Sequence, residues 1–126
     1  NLSGVDAGSA ALALFERIYP DTYRNSDIRR DLFQRYLTRA ASGAFDLVYS
    51  NGATIELVHP SFPIVAELCR VTQHTVLLDI AERGAPYPRD YQRQFEQAGF
   101  RLVAAARPVD WRREFSLLRF DRVRDI

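Results

Sequence analysis

Short apolar runs alternate with stretches of helical periodicity along the chain, and their order is strand then helix, repeated. Residues 1–6 end in Gly4, Val5 and Asp6 and read as a short strand. Residues 9–19 place Ala11, Leu14, Phe15 and Ile18 on one helical stripe, with Ser9 as N-cap and Pro20 as stop. Residues 21–26 are compatible with a second short strand. Asp27 then reads as the N-cap of a helix whose apolar positions are Ile28, Leu32, Phe33, Tyr36, Leu37 and Ala40, ending at Ser42-Gly43. Arg29, Arg30, Arg35 and Arg39 line its other face, the pattern of a solvated side.

Residues 45–49 form a compact apolar strand followed by Asn51-Gly52, the strongest short-range hairpin signal. Two readings compete there: residues 53–58 return as a second hairpin strand, or residues 50–59 form a functional loop at the carboxyl end of the strand. His59-Pro60-Ser61 opens a helix burying Phe62, Val65, Ala66, Leu68 and Cys69. The nearly unbroken apolar run 75–81 fits a central strand covered on both faces. After a loop at 84–88, residues 89–98 form a helix packed through Tyr91 and Phe95 and closed by Gly99. Residues 100–106 are a strand, and residues 114–123 alternate with period two, with Phe115, Leu117 and Arg119 on one side and Leu118 and Phe120 on the other. No helical length separates these last two strands, so they pair antiparallel. The sequence therefore predicts one α/β domain spanning residues 1–126, a doubly wound and mostly parallel sheet ending in an antiparallel strand pair.

Composition narrows the chemistry. The chain has 126 residues, 47% hydrophobic and 26% charged, as expected for one globular domain. All 17 basic residues are Arg; without Lys, Schiff-base chemistry, pyridoxal phosphate attachment and a phosphate-loop lysine are excluded within this chain. A net charge of +1 supplies no field for nucleic acid or anionic lipid, so neither is expected as a partner. The single cysteine, Cys69, falls on an apolar helix face and reads as core. No apolar run approaches the length of a membrane span, and the expected location is the cytoplasm. Two histidines, His59 and His74, make no zinc motif, and no metal is expected. With no Met and with Asn1 first, the chain is expected to be a piece of a longer one.

Doubly wound sheets bind ligands beyond the carboxyl ends of their strands, which directs attention to Asp6, Asp27 and the Ser50-Asn51-Gly52 turn. A carboxylate at such a strand end can accept both hydroxyls of a ribose; an ordinary turn Asp is the equal alternative for Asp6.

Residues 1–9 (NLSGVDAGS), 45–50 (FDLVYS), 66–71 (AELCRV) and 98–103 (AGFRLV), taken in this order, resemble successive landmarks of class I S-adenosylmethionine-dependent methyltransferases, and the resemblance covers essentially the whole chain. It implies a Rossmann-like fold with Asp6 holding the ribose of the methyl donor and Ala7 against its adenine. It further implies Asp27 accepting the adenine amino group, Ile28 packing on the other ring face, and residues 49–52, Ser50 included, bordering the methyl-transfer cleft. Trp111 and its neighbours would shape an acceptor pocket. The family's Gly-rich loop has no counterpart here, because the six glycines form no GxGxG. The resemblance thus implies a domain truncated at its N-terminus, lacking a strand between those of Val5 and Val48, with two exposed ladders that close up imperfectly, recruit a strand from another copy or depend on a segment outside this sequence. Ser50-Asn51-Gly52-Ala53 stands where base-amine methylation uses Asp or Asn with two prolines, and Cys69 lies outside the loop where cytosine-carbon methylation needs a nucleophile. Small-molecule or peptide acceptors are left, with a small molecule expected. His59 could deprotonate an acceptor hydroxyl, or simply pack beside Pro60 at a helix entry; no catalytic residue is assigned. The expected activity is methyl transfer, with the isolated chain inactive; the alternative is a non-catalytic interaction or dimerisation module.

Overall fold

A computed structural model describes residues 1–82, 85–107 and 115–124. Its contacts gather into two compact units, residues 1–40 and 41–126.

In the first unit, β1 (Ser3–Asp6) pairs in parallel with β2 (Asp27–Arg30), with Ser3 opposite Asp27 and Asp6 opposite Arg30. Between them run α1 (Ser9–Ile18) and the single-turn α2 (Pro20–Arg24); α3 (Phe33–Arg39) follows β2. The N-cap of α1 is Gly8, one residue before the expected Ser9. The Phe15 ring sits 6.0 Å from Tyr19 and 5.9 Å from Tyr23, joining α1 to α2.

Two expectations fail in this unit. Residues 21–26 are not a strand: Pro20 presets the backbone angle of a first helical residue, and Asp21 pairs with Arg24 at 2.7 Å across the turn. Asp27 caps no helix, since residues 27–30 are strand. The Asp27 amide donates to the Leu2 carbonyl at 3.0 Å and the Asp31 amide to the Asp6 carbonyl at 3.2 Å. Nonlocal ladder bonds have overridden a local capping signal. The helix begins only at Phe33.

The second unit is a four-stranded sheet in the order β3-β4-β6-β5. β3 (Phe45–Ser50) lies parallel to β4 (Thr72–Ala81), and β6 (Phe115–Arg122) inserts antiparallel between β4 and β5 (Phe100–Ala106). β4 begins three residues before the predicted 75 and is interior to the sheet. On β6 the predicted alternation holds: Ser116, Leu118 and Phe120 are buried, while Phe115, Leu117 and Arg119 are exposed.

The buried face, with Val76, Leu78, Ile80, Leu118 and Phe120, accompanies the buried sides of α4 (Ile64–Val71) and α5 (Tyr91–Gln97). At its centre the Phe95 ring stacks on Phe120, with centroids 4.0 Å apart and planes 9° from parallel, and meets Phe100 edge-on at 6.1 Å. Arg122 ties the end of α4 to β6 by donating to the carbonyls of Cys69, Thr72 and Gln73 at 2.6–3.0 Å, its guanidinium 4.7 Å from the Phe100 ring centroid. A cation is favoured at such a helix C-terminus.

Here too the sequence reading needs correction. Asn51-Gly52 makes no hairpin: β3 pairs in parallel with β4, and residues 53–58 hold a 3₁₀ turn (Ile55–Leu57) instead of a return strand. α4 opens at Ile64, after Pro63, and not at His59-Pro60-Ser61; Ala66 faces outward, and Ile64 and Val71 join Val65, Leu68 and Cys69 inside.

Candidate functional site at the strand carboxyl ends

In the first unit, β1 ends in the exposed Asp6, whose Oδ1 accepts the Gly8 amide at 2.7 Å and thereby shapes the turn into α1. A Cβ on Gly8 would come to 3.1 Å from that same oxygen, so glycine suits the approach. Ala7 is exposed and its carbonyl accepts from Arg30 at 3.3 Å. Beside Asp6, β2 runs out at Arg30 and Asp31 follows, its Oδ1 accepting the Leu32 amide at 2.8 Å and lying 3.7 Å from Arg35. Asp6, Ala7, Arg30, Asp31 and Leu32 thus converge on one end of the two-stranded sheet.

Asp27 and Ile28 do not converge with them. Asp27 opens β2 beside Ser3, three residues from the Asp6 end, or roughly 10 Å at strand rise. Its carboxylate is held from both oxygens by Arg29 at 2.9 and 3.0 Å, and that hydrogen bonding keeps its pKa below the usual carboxylate value. Ile28 packs within the sheet, where a Cβ on Gly4 would meet its Cδ1 at 3.1 Å.

In the second unit, Ser50 closes β3 with its hydroxyl buried and without a hydrogen-bond partner among the described residues. The loop beyond it is pinned by Glu56, a carboxylate that the sequence reading passed over. Glu56 is buried, and it accepts the amides of Ala53 at 3.0 Å, Thr54 at 3.2 Å and Ala81 at 3.0 Å. Ala81 ends β4, so one side chain fastens the 51–56 loop to the carboxyl end of the neighbouring strand. Arg89 holds the other flank through the carbonyls of Ile55 at 3.3 Å and Val58 at 2.6 Å. Gly52 lies under Phe115, where any Cβ would fall 2.7 Å from the ring.

Tyr91, the first residue of α5, points its pKa upward because it is buried, an effect that the nearby Glu56 and Glu82 carboxylates reinforce and Arg89 opposes. Its hydroxyl makes no well-formed hydrogen bond among the described residues. Glu82 pairs with Arg107 at 2.9 Å and accepts the Ser116 hydroxyl at 2.7 Å.

His59 is exposed and lies in a turn ahead of α4 instead of at the helix entry. Its Nδ1 accepts the Ser61 amide at 3.1 Å and lies 2.8 Å from the Ser61 hydroxyl, and its ring meets Tyr87 edge-on at 5.3 Å. An Nδ1 that accepts from the backbone leaves the proton of the neutral ring on Nε2, so the basic nitrogen is committed to the turn. Trp111 lies outside the described residues. Among the described residues no three metal-ligating side chains cluster, and no helix is long and apolar enough to cross a membrane.

Cys69 is buried, and burial pushes its thiol up to about 12. The thiolate is the nucleophile, so a thiol reagent at neutral pH should label the chain only after denaturation. Stability follows the same shift. The neutral thiol is favoured in the fold, so its contribution is complete below about 9, the ordinary value, and is lost as pH rises through about 12. Denaturation between those limits should show stability falling by a little over 1 kcal/mol per pH unit from this group. Cys69→Ala should flatten that slope, and the absence of Lys keeps the window clear of lysine titration.

No protein-family model and no curated protein matches the sequence. The fold does match solved structures. A TehB-like SAM-dependent methyltransferase from Corynebacterium glutamicum gives a TM-score of 0.69 at 14% identity, over 97% of this chain and 68% of its own. Magnesium protoporphyrin IX methyltransferase (ChlM) from Synechocystis PCC 6803, crystallised with bound SAM, gives 0.67 at 10% identity, over 95% of this chain and 58% of its own. The antibiotic-resistance methyltransferase Kmr gives 0.55 at 18% identity, over 96% of this chain and 74% of its own. The chain therefore has the Rossmann-like fold of class I methyltransferases, and it spans well under two thirds of the length of ChlM.

Proposed function

We propose that the chain is part of an S-adenosylmethionine-dependent methyltransferase acting on a small-molecule acceptor. The observation that carries this reading is the pair of carboxylates, Asp6 and Asp31, brought together at the carboxyl ends of adjacent parallel strands in a fold shared with such enzymes. The residues present fit the nucleoside half of the donor. The Asp6 carboxylate is exposed and accepts both hydroxyls of a ribose, and Ala7 leaves a small apolar surface beside it. The role of adenine-amino acceptor passes from Asp27 to Asp31, since Asp31 follows the strand end that Asp6 shares and Asp27 lies at the other. By the same displacement the exposed Leu32 replaces Ile28 against the ring.

When bound, the sulfonium donor supplies an electrophilic methyl group to a nucleophile aligned with the breaking bond. What this chain's residues add is position. Ser50 serves through its backbone, because its hydroxyl is buried. Glu56 and Arg89 hold the 51–58 loop in place beside it.

Because the six glycines make no GxGxG, binding to the 126-residue chain should be weaker than low micromolar. An NMR titration with S-adenosylhomocysteine tests the reading. Asp6→Ala and Asp31→Ala should each weaken binding at least about tenfold, the usual worth of hydrogen bonds to a charged group, and Asp27→Ala should leave it unchanged. No shift at any ligand concentration, or equal binding by wild type and Asp6→Ala, would sink the proposal.

A further inference from the structure

Among the described residues, Ala53 is the one apart from glycine with a positive φ, +56°. An L side chain keeps that strained conformation only where its surroundings impose it, and such residues collect at functional sites. What imposes it here is Glu56. Its buried carboxylate takes the Ala53 amide at 3.0 Å on one oxygen and the Thr54 amide at 3.2 Å on the other, so two successive N–H groups point at one anion. In a trans peptide the carbonyl lies opposite the N–H. The carbonyls of Gly52 and Ala53 belong to those same two peptides and therefore point away from Glu56, just beyond the end of β3. Phe115 packs on Gly52 so closely that no side chain fits there, which holds the loop from a second direction. Thr54 Oγ1 donates to the Gly52 carbonyl at 3.3 Å, leaving that oxygen a second lone pair. Among the described residues nothing donates to the Ala53 carbonyl.

We infer that these two carbonyls hold the methyl acceptor and that the acceptor is a primary amine, an inference that rests on the methyl-transfer reading. A neutral primary amine brings two N–H donors to two carbonyls and keeps its lone pair free. A hydroxyl brings one hydrogen and needs a base to remove it, whereas the carboxylate of this loop is already committed to backbone amides. In the transfer the nitrogen lone pair forms the new N–C bond while the C–S bond of the donor breaks, its electron pair passing to the sulfonium sulfur to leave a neutral thioether. The nitrogen, now positive, releases one proton to water. Carbonyl dipoles fixed toward that nitrogen favour it more strongly as its positive charge grows, so they act on the transition state more than on the bound amine.

The probe is methylammonium, titrated into the 126-residue chain isotope-labelled at its carbonyl carbons and followed by NMR. The Gly52 and Ala53 carbonyl resonances should move saturably, and further than those of exposed carbonyls elsewhere in the chain. Tetramethylammonium carries the same charge without an N–H and should leave them in place. Glu56→Gln, which frees the two peptides to turn, should lose the response while the α5 resonances stay where they are and report an intact fold. Equal movement with tetramethylammonium, movement no larger than that of other exposed carbonyls, or a full response in Glu56→Gln overturns the inference. Its failure is separable from that of methyl transfer, because methylammonium needs no donor. A silent loop in a chain that binds S-adenosylhomocysteine through Asp6 removes the amine alone; a responsive loop in a chain that binds none keeps the amine site and removes methyl transfer.

Discussion

Phe95→Ala should cost about 3–5 kcal/mol of stability, the range for truncating a fully buried phenylalanine. Such a loss is a large fraction of the 5–15 kcal/mol or so that holds a typical domain folded. Three features place it at the upper end. The ring is fully buried, it stacks on Phe120 at 4.0 Å, and it meets Phe100 edge-on, so its removal opens a void bounded by two rings that cannot both collapse into it. Further, α5 buries just Tyr91 and Phe95, so the helix loses one of its two anchors. In urea the transition midpoint should fall with little change in slope. Phe120→Ala should behave similarly, and the double variant should cost less than the sum, because each single change already forfeits the stack. A loss under about 1 kcal/mol for Phe95→Ala would mean that α5 does not pack as described.

What could be read from the sequence follows the reach of each signal. Residues 100–106 were bounded correctly because a compact apolar run follows a glycine with φ of +87° that ends α5, and β6 was legible because period two is a local property. The errors fall where local and distant preferences disagree. Asp27 carries a good capping side chain, yet its amide and the one after β2 bond to β1, more than twenty residues away. Asp27 therefore opens β2, and the carboxylate that follows the end of that strand is Asp31. Asn51-Gly52 signals a hairpin in isolation, but the partner strand arrives from residues 72–81 and runs parallel. The fold class survived these errors because it depends on element order. The placement of Asp27 depends instead on which end of a strand it occupies, and local signals do not report that.

Glu56→Ala should rival the loss of Phe95, at about 3–5 kcal/mol, for a different physical reason. A charge-assisted hydrogen bond contributes about 1.5–3 kcal/mol, and Glu56 receives three backbone donors on two oxygens. Its removal leaves the amides of Ala53, Thr54 and Ala81 facing a space vacated by a side chain that was 2% exposed. Entry of water through the half-buried loop can satisfy some of them, which keeps the cost below the sum of three bonds. Glu56→Gln separates charge and acceptor geometry from simple filling of volume. It keeps the shape, but it turns one acceptor oxygen into an amide nitrogen that must face a backbone N–H, so it should recover less than half of the loss. Hydrogen exchange locates the effect. The three amides should lose protection in the glutamine variant, while the amides of α5 keep theirs, since Arg89 still holds Ile55 and Val58 from the other flank. Uniform loss of protection across the sheet would mean that the carboxylate supports the whole second unit. Unchanged protection would mean that the loop is held by its backbone alone, and that the end of β3 is positioned without Glu56.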